Sequence, residues 1–227
     1  MSTQYRYAVY FVPRPDTPLA EFGRRWLGFD TETRQPVENA WDMPSGIIRT
    51  PARYGFHATL KAPFRLRREH DEASLMEAVQ ALAERLRPAP LGHLAPRQLG
   101  SFIALMPTLP VPDADALAFA CVRDLDPFRA PLSDEEADAI LDKGVTRRQK
   151  GNVYTWGYPY VGKDYLFHIT LTSILAPHEL EEWRARPIAL GAQYLRDPVT
   201  LDALTLCAQK TPNSPFRPLQ RFPLGSE

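Results

Sequence analysis

One pentapeptide occurs twice in this chain. Phe56-His57-Ala58-Thr59-Leu60 returns as Phe167-His168-Ile169-Thr170-Leu171, with four of five positions identical. The 227 residues contain 5 histidines and 14 threonines. Composition alone therefore gives about 0.3 His-x-Thr triplets and about 0.002 of the full Phe-His-x-Thr-Leu pattern. The flanks repeat too. Tyr10 and Cys121 each stand 47 residues before a motif histidine, in the strand-like runs Tyr5–Val12 and Leu117–Val122. After each motif comes a helical stretch (Asp71–Leu86, Pro177–Arg184) and then an apolar strand-like run (Leu99–Leu105, Leu201–Cys207). This is the signature of an internal duplication. It predicts a single bilobed domain over residues 1–227, built from repeats at approximately 5–107 and 117–224. A pseudo-two-fold axis then makes equivalent residues face each other across a central cleft.

In a strand, residues i and i+2 share a face and lie roughly 6–7 Å apart. His57 shares a face with Thr59, and His168 with Thr170. Ala58, Leu60, Ile169, Leu171 and the two phenylalanines turn to the core. Two such strands surround one pocket with two imidazoles and two hydroxyls. That set suits phosphodiester cleavage. A neutral imidazole takes a proton from the attacking oxygen and an imidazolium gives one to the leaving oxygen. The hydroxyls donate to the non-bridging oxygens, where charge builds. Histidine holds both protonation states near neutrality. The motifs supply no metal-ligand spacing, so no metal and no cofactor is expected. A lone histidine in a strand is ordinarily structural, but packing does not explain a polar pair kept in both copies.

The rest of the chain sets bounds. Lys+Arg and Asp+Glu are 27 each, which speaks against a long nucleic-acid groove. No apolar run reaches the roughly 18 residues of a membrane span. The start, Met1 to Arg6, lacks a signal-peptide core, so a cytoplasmic location is expected. Two cysteines, Cys121 and Cys207, read as small core residues in a reducing compartment. Phe29–Ala52 reads as a long loop and Ser133–Leu141 as a helix opened by a capping box. Strands and helices mix without βαβ alternation, and neither a dinucleotide-binding nor a P-loop turn appears. The class is α+β with two largely antiparallel sheets, helices outside and a cleft between.

Paired His-x-Thr-Leu motifs in duplicated halves resemble the two-histidine (2H) phosphoesterase superfamily, over Tyr5 to Leu224. The run Arg53-Tyr54-Gly55-Phe56-His57-Ala58-Thr59-Leu60-Lys61-Ala62-Pro63-Phe64 is similar to the bacterial branch encoded beside phosphonate-degradation genes. The resemblance implies a bilobed RNA-ligase-like fold and metal-independent phosphodiester cleavage. It implies catalysis by His57 and His168, with Thr59 and Thr170 as the motif threonines. It suggests a phosphorylated ribose bearing a cyclic phosphate as substrate.

Further binding residues are expected around the motifs. Lys61, two residues beyond Thr59, shares the face of His57 by period two and would hold a second phosphate; the alternative is a solvated lysine at a strand end. Arg53 and Tyr54 precede the motif and reach toward the pocket. Arg147 to Asn152 is a basic run followed by Tyr154, Trp156, Tyr158 and Tyr160. In an extended segment those aromatics line one face, so Arg148, Lys150, Tyr154 and Trp156 would take a phosphate and stack a ring, unless the run is a solvated loop. Asp164 and Glu179 are the acids nearest the second motif. His70, His93 and His178 lack motif context, and Ser101 and Ser173 lack a nucleophile elbow.

The expected partner is a small phosphorylated molecule, with no membrane and no extended nucleic acid. Two rivals stay open. One is an RNA-end enzyme acting on 2′,3′-cyclic or 2′–5′ linkages. The other is a non-catalytic sensor of a phosphorylated metabolite.

Overall fold

A computed structural model describes residues 5–225. The stretch Met1–Gln4, part of the basis for the expectation about export, lies outside the described residues. In chain order the elements are β1 (Arg6–Phe11), α1 (Pro18–Leu27), α2 (Ser45–Tyr54), β2 (Ala58–Phe64), α3 (Glu72–Arg85), β3 (Ala89–Gly92), β4 (Leu94–Leu99), β5 (Phe102–Pro107) and α4 (Pro112–Asp124). There follow α5 (Asp134–Leu141), α6 (Arg147–Trp156), β6 (Ile169–Thr170), α7 (Pro177–Arg184), α8 (Arg186–Gly191), β7 (Val199–Leu201), β8 (Ala203–Gln209) and β9 (Phe216–Pro223).

Two antiparallel sheets carry the fold. The larger has the order β4-β5-β6-β2-β1-β8-β9, and β3 pairs with β7 in the smaller. The aromatic and β-branched run of β1 is buried from Tyr7 to Phe11. One face of the large sheet packs Tyr7, Val9, Phe11, Ala58, Leu60, Ile169 and Leu171 against helices in the main core. The other carries only a small cluster of Ala8, Tyr10, Val12, Cys207 and Phe216, with Tyr54 packed on it. The α+β class with mainly antiparallel strands is as expected, but the motif strands do not face each other across a gap between sheets. They are neighbours, paired at Ala58↔Ile169.

Outward from that junction the order is β6, β5, β4 on one side and β2, β1, β8 on the other. β5 therefore stands to the second motif as β1 does to the first. The run Leu117–Val122, expected as a strand, is instead the middle of α4, which buries Leu117, Ala118, Ala120, Cys121 and Val122. A short all-apolar run has no period to separate a strand from a helix buried on most sides. Two more expectations are corrected. The loop Phe29–Ala52 contains the start of α2, which has no side-chain cap and holds Pro51 in its interior. Arg147–Trp156 is helical rather than extended, opened by a Thr146–Gln149 capping box.

Helix α1 locks the motifs to the scaffold. Thr17 caps its N-terminus and Gly28 ends it in the left-handed region. The indole Nε1 of Trp26 donates to the carbonyl of Leu171 at 2.7 Å, fully buried. Gly23 lies against Phe56, where a Cβ would come within 2.3 Å of the ring, so only glycine lets the helix approach the first motif.

Candidate active site

Both motif strands show the expected alternation. Phe56, Ala58, Leu60, Phe167, Ile169 and Leu171 are buried at 3% exposure or less, while His57, Thr59, His168 and Thr170 are half-buried on the other face. The register extends the geometry. With Ala58 opposite Ile169, an antiparallel ladder sets His57 opposite Thr170 and Thr59 opposite His168. Directly opposed residues have Cβ atoms roughly 5 Å apart and diagonal ones roughly 7–8 Å. The two imidazoles thus occupy one diagonal of a four-residue patch and the two hydroxyls the other. The proximity also registers electrostatically, because charge on His168 disfavours charge on His57.

Each imidazole is held by the same local bond. Nδ1 of His57 lies 2.9 Å from the carbonyl oxygen of Gly55, and Nδ1 of His168 lies 2.8 Å from that of Leu166. A carbonyl only accepts, so Nδ1 carries the proton and Nε2 is the free basic nitrogen in both rings. The carbonyl of Gly55 is aimed by a backbone that only glycine adopts comfortably, φ 82 and ψ 178. A Cβ there would also meet Thr31 Cγ2 at 2.6 Å. Thr59 Oγ1 lies 3.4 Å from His57 Nε2.

The two histidines differ in their surroundings. The ring of Tyr10 lies 3.9 Å from that of His57, and Tyr54 lies 6.1 Å away, stacked on Phe216 at 5.4 Å. His168 has Phe102 at 5.9 Å. Burial, reinforced by His168 and opposed by the Gly55 carbonyl, lowers the pKa of His57 to about 4. Burial also lowers that of His168, opposed by the Leu166 carbonyl. Tyr165, which packs against the main core cluster, donates from its hydroxyl to the backbone carbonyl of Thr59 at 3.0 Å, tying the approach to one motif to the strand of the other.

The remaining expected binding residues distribute unevenly. Tyr54 packs on the sheet face that carries His57, its ring 6.1 Å from the imidazole. Arg53 donates to the carbonyl of Pro212 and lies 5.8 Å from the Tyr54 ring. Lys61 is a correction. The β1–β2 register slips by one residue between Tyr10↔Thr59 and Val9↔Lys61, a bulge at Leu60. The extra residue turns Lys61 to the core face. There it is 3% exposed, donates to the carbonyl of Val122 at 3.0 Å near the C-terminal end of α4, and lies 3.6 Å from Asp126. The guanidinium of Arg148 makes two bonds of 2.6 and 2.8 Å to Asp164. Trp156 packs edge-on against Phe119 at 5.8 Å. Lys150 and Tyr154 pair with each other, 5.9 Å from nitrogen to ring, on the exposed side of α6. Among the described residues nothing links these two to either motif. Asp164 is engaged by Arg148, and Glu179 caps α7 through the Ala176 amide.

Tyr10, Phe102, Tyr165 and Phe216 escaped the sequence reading. A signal existed for Tyr165, because the repeat extends upstream. Tyr54-Gly55-Phe56-His57 parallels Tyr165-Leu166-Phe167-His168. Among the described residues no group of three His, Cys, Asp or Glu side chains is placed to hold a metal, and no helix is long and apolar enough to cross a membrane. A cavity lined by Phe11, Leu94, Tyr194 and Thr200 includes neither histidine.

Comparison with known proteins gives three kinds of likeness. The chain is 34% identical over 232 residues to the ribose 1,5-bisphosphate phosphokinase PhnN of Janthinobacterium sp. (strain Marseille), covering 98% of this chain and 51% of that protein. It is 36% identical over 219 residues to the protein of the same name from Laribacter hongkongensis (strain HLHK9), covering 93% and 50%. The chain thus spans about half the length of the curated relatives it matches. Solved structures similar over 98% of this chain and 99% of theirs include E. coli LigT complexed with 3′-AMP, at 16% identity and a TM-score of 0.45. A phosphoesterase, at 16% and 0.42, covers the same shares. A family model described as protein of unknown function DUF1045 matches residues 59–217, and the chain belongs to that family.

Proposed function

We propose that the chain is a two-histidine phosphoesterase that opens a cyclic phosphodiester on a small phosphorylated sugar or nucleotide without a metal ion. The observation that carries this reading is the Ala58↔Ile169 pairing, which gathers His57, Thr59, His168 and Thr170 on one sheet face. We further propose that the fold is a duplication with copies at about 6–99 and 102–209. In it β1, β2 and β4 correspond to β5, β6 and β8, and each last strand crosses to the partner copy.

The chemistry runs between the two free Nε2 atoms. His57, the ring harder to protonate, takes a proton from water as the water oxygen bonds to phosphorus. His168 gives its proton to the ester oxygen as the phosphorus–oxygen bond breaks. Thr59 and Thr170 donate to the non-bridging oxygens. Proton exchange with solvent resets the pair. A phosphoryl anion between the rings favours the charged imidazole and raises both pKa values.

The ribose 1,5-bisphosphate named for the curated relatives favours a ribose phosphate over a longer substrate. Phosphokinase chemistry is not assigned to this chain. Gly157 to Lys163 has the G-x4-G-K spacing, but it follows a helix rather than a strand. Asp164 stands where the phosphate-binding loop needs Ser or Thr.

The test is turnover, in the presence of a chelator, of a ribose cyclic phosphate beside an oligonucleotide with a 2′,3′-cyclic end. Rapid opening of the ribose compound, lost in His57→Ala and His168→Ala, supports the reading. Preference for the oligonucleotide favours an RNA-end enzyme, and tight binding without turnover a sensor.

A further inference from the structure

We propose that Ser173 is a positioning residue for the first motif: from the tail of the second motif it fixes helix α2, and α2 sets the carbonyl that holds the imidazole of His57. This rests on the phosphoesterase reading above and adds to it a residue that neither motif contains.

Helix α2 has little of its own to hold it in place. Its start lacks a side-chain cap, Pro51 stands inside it, and of its ten residues only Ile47 and Pro51 are buried. A helix this short is marginal without tertiary anchors. Proline has no N–H, so the carbonyl of Ile47, four residues before Pro51, loses its donor within the helix. A buried carbonyl in that position needs a partner from elsewhere.

Ser173 supplies it. Its amide donates to the carbonyl of Ile47 at 2.6 Å, and its Oγ accepts from the amide of Thr50 at 3.1 Å. One residue thus receives the carbonyl that the proline leaves free and the amide just before the proline. Ser173 is 7% exposed and stands three residues beyond Thr170. The chain on either side of it is pinned to β5 and the turn before it. Thr172 Oγ1 accepts from the amide of Ile103 at 3.0 Å, and the amide of Leu175 donates to the carbonyl of Ser101 at 2.7 Å.

The far end of α2 reaches the first motif. The amide of Gly55 donates to the carbonyl of Pro51 at 2.9 Å, and the carbonyl of Gly55 is the acceptor for Nδ1 of His57. Ser173 is joined in this way to the bond that fixes the tautomer of His57. Arg34 and Arg53 also hold the last turn of α2, through the carbonyls of Ala52 and Pro212, but Ser173 is what ties the helix to the second motif. His168 takes its own carbonyl from Leu166 and has no need of α2.

The experiment combines turnover of a ribose cyclic phosphate with ¹⁵N NMR of the two imidazoles, for wild type, Ser173→Ala, Ser173→Thr and Pro51→Ala. Ser173→Ala removes the acceptor for Thr50, and Pro51→Ala gives the Ile47 carbonyl a competing donor inside the helix. Both are expected to lower kcat by about 10- to 10²-fold and to change KM by less than about twofold. Both should turn His57 from the Nδ1–H form to a mixture with Nε2–H while His168 keeps its tautomer. Ser173→Thr keeps the oxygen and should restore most of both. Val79→Ala, in the core under α3, is the control for a general loss of stability and should leave kcat and the tautomer unchanged. An unmoved kcat and tautomer in Ser173→Ala, or in Pro51→Ala if the first variant does not fold, overturns the proposal, as does the same change in Val79→Ala. The NMR result decides it even if wild type opens no cyclic phosphate, an outcome that removes the phosphoesterase reading and leaves the link from Ser173 to His57 to stand or fall by itself.

Discussion

The ring of Tyr10 lies 3.9 Å from the imidazole of His57, whereas that of Phe102 lies 5.9 Å from the imidazole of His168. Tyr10 stands opposite Thr59 in the β1–β2 ladder, whereas Ala104 stands opposite Thr170 in the β5–β6 ladder. An aromatic face on one side and a methyl on the other break the symmetry of the patch. The ring under Tyr10 is the one lowered to about 4, so the first proton taken up goes to His168.

Tyr10→Ala is therefore expected to raise the pKa of His57 toward 6.5, because water replaces the ring that desolvates it, and to leave His168 nearly unmoved. The sign carries to stability. Between 6.5 and about 4 the unfolded chain binds a proton at this position that the folded chain refuses. His57 thus lowers the stability of the wild type as pH falls through that window, and Tyr10→Ala weakens the dependence. NMR titration of the two histidines reads the shift directly. An unmoved His57 would show that Tyr10 does not set its proton affinity.

Replacing either motif histidine by alanine is expected to lower turnover by about 10²- to 10⁴-fold. The double variant should lose far less than the product of the two, because the pair acts as a unit. Wild type should give a bell-shaped pH–rate profile, with the acidic limb missing in His57→Ala. A profile flat from pH 4 to 9 would contradict the paired acid and base.

The face of each motif residue was legible from period two, since it needs only local backbone geometry. The partnership of the strands was not. Ala58↔Ile169 is a contact between residues more than a hundred apart, and nothing local encodes which edges of two amphipathic strands will meet. Lys61 shows a second limit. Counting by twos from Thr59 puts it beside His57, but one extra residue at Leu60 turns it to the opposite face, and a second shift before Phe64 restores the alternation. Cys121 shows a third, because an apolar run without period satisfies a strand and a buried helix equally. Capping chemistry was more reliable, and the box opened by Ser133 does head a helix.

Lys61→Met tests that reversal. If Lys61 serves the core rather than the substrate, KM for a phosphorylated substrate stays near the wild-type value, and a tenfold rise would return it to the site. Stability reports its buried state. Burial, opposed in part by Asp126, lowers Lys61 to about 8 from 10.5. Between those values the unfolded chain binds more protons, so this residue adds stability as pH rises from 8 to 10.5 and penalises the fold below 8. Wild type should gain on Lys61→Met in urea midpoint between pH 7 and pH 10.

The last prediction concerns the twin tyrosines. Tyr54 and Tyr165 each stand three residues before a motif histidine, but of the two it is Tyr165 that bonds to the strand of the other motif, at the carbonyl of Thr59. That bond closes the β2–β6 junction where the ladder itself is a single pair. Tyr165→Phe leaves the carbonyl short of a donor and is expected to cost about 1–3 kcal/mol. It should lower kcat more than it raises KM, because the histidines and threonines lose their mutual spacing. Tyr54→Phe keeps the stack on Phe216 and should change stability by less than about 0.5 kcal/mol. Equal effects of the two substitutions would mean that the cross-motif bond does not hold the four residues in place.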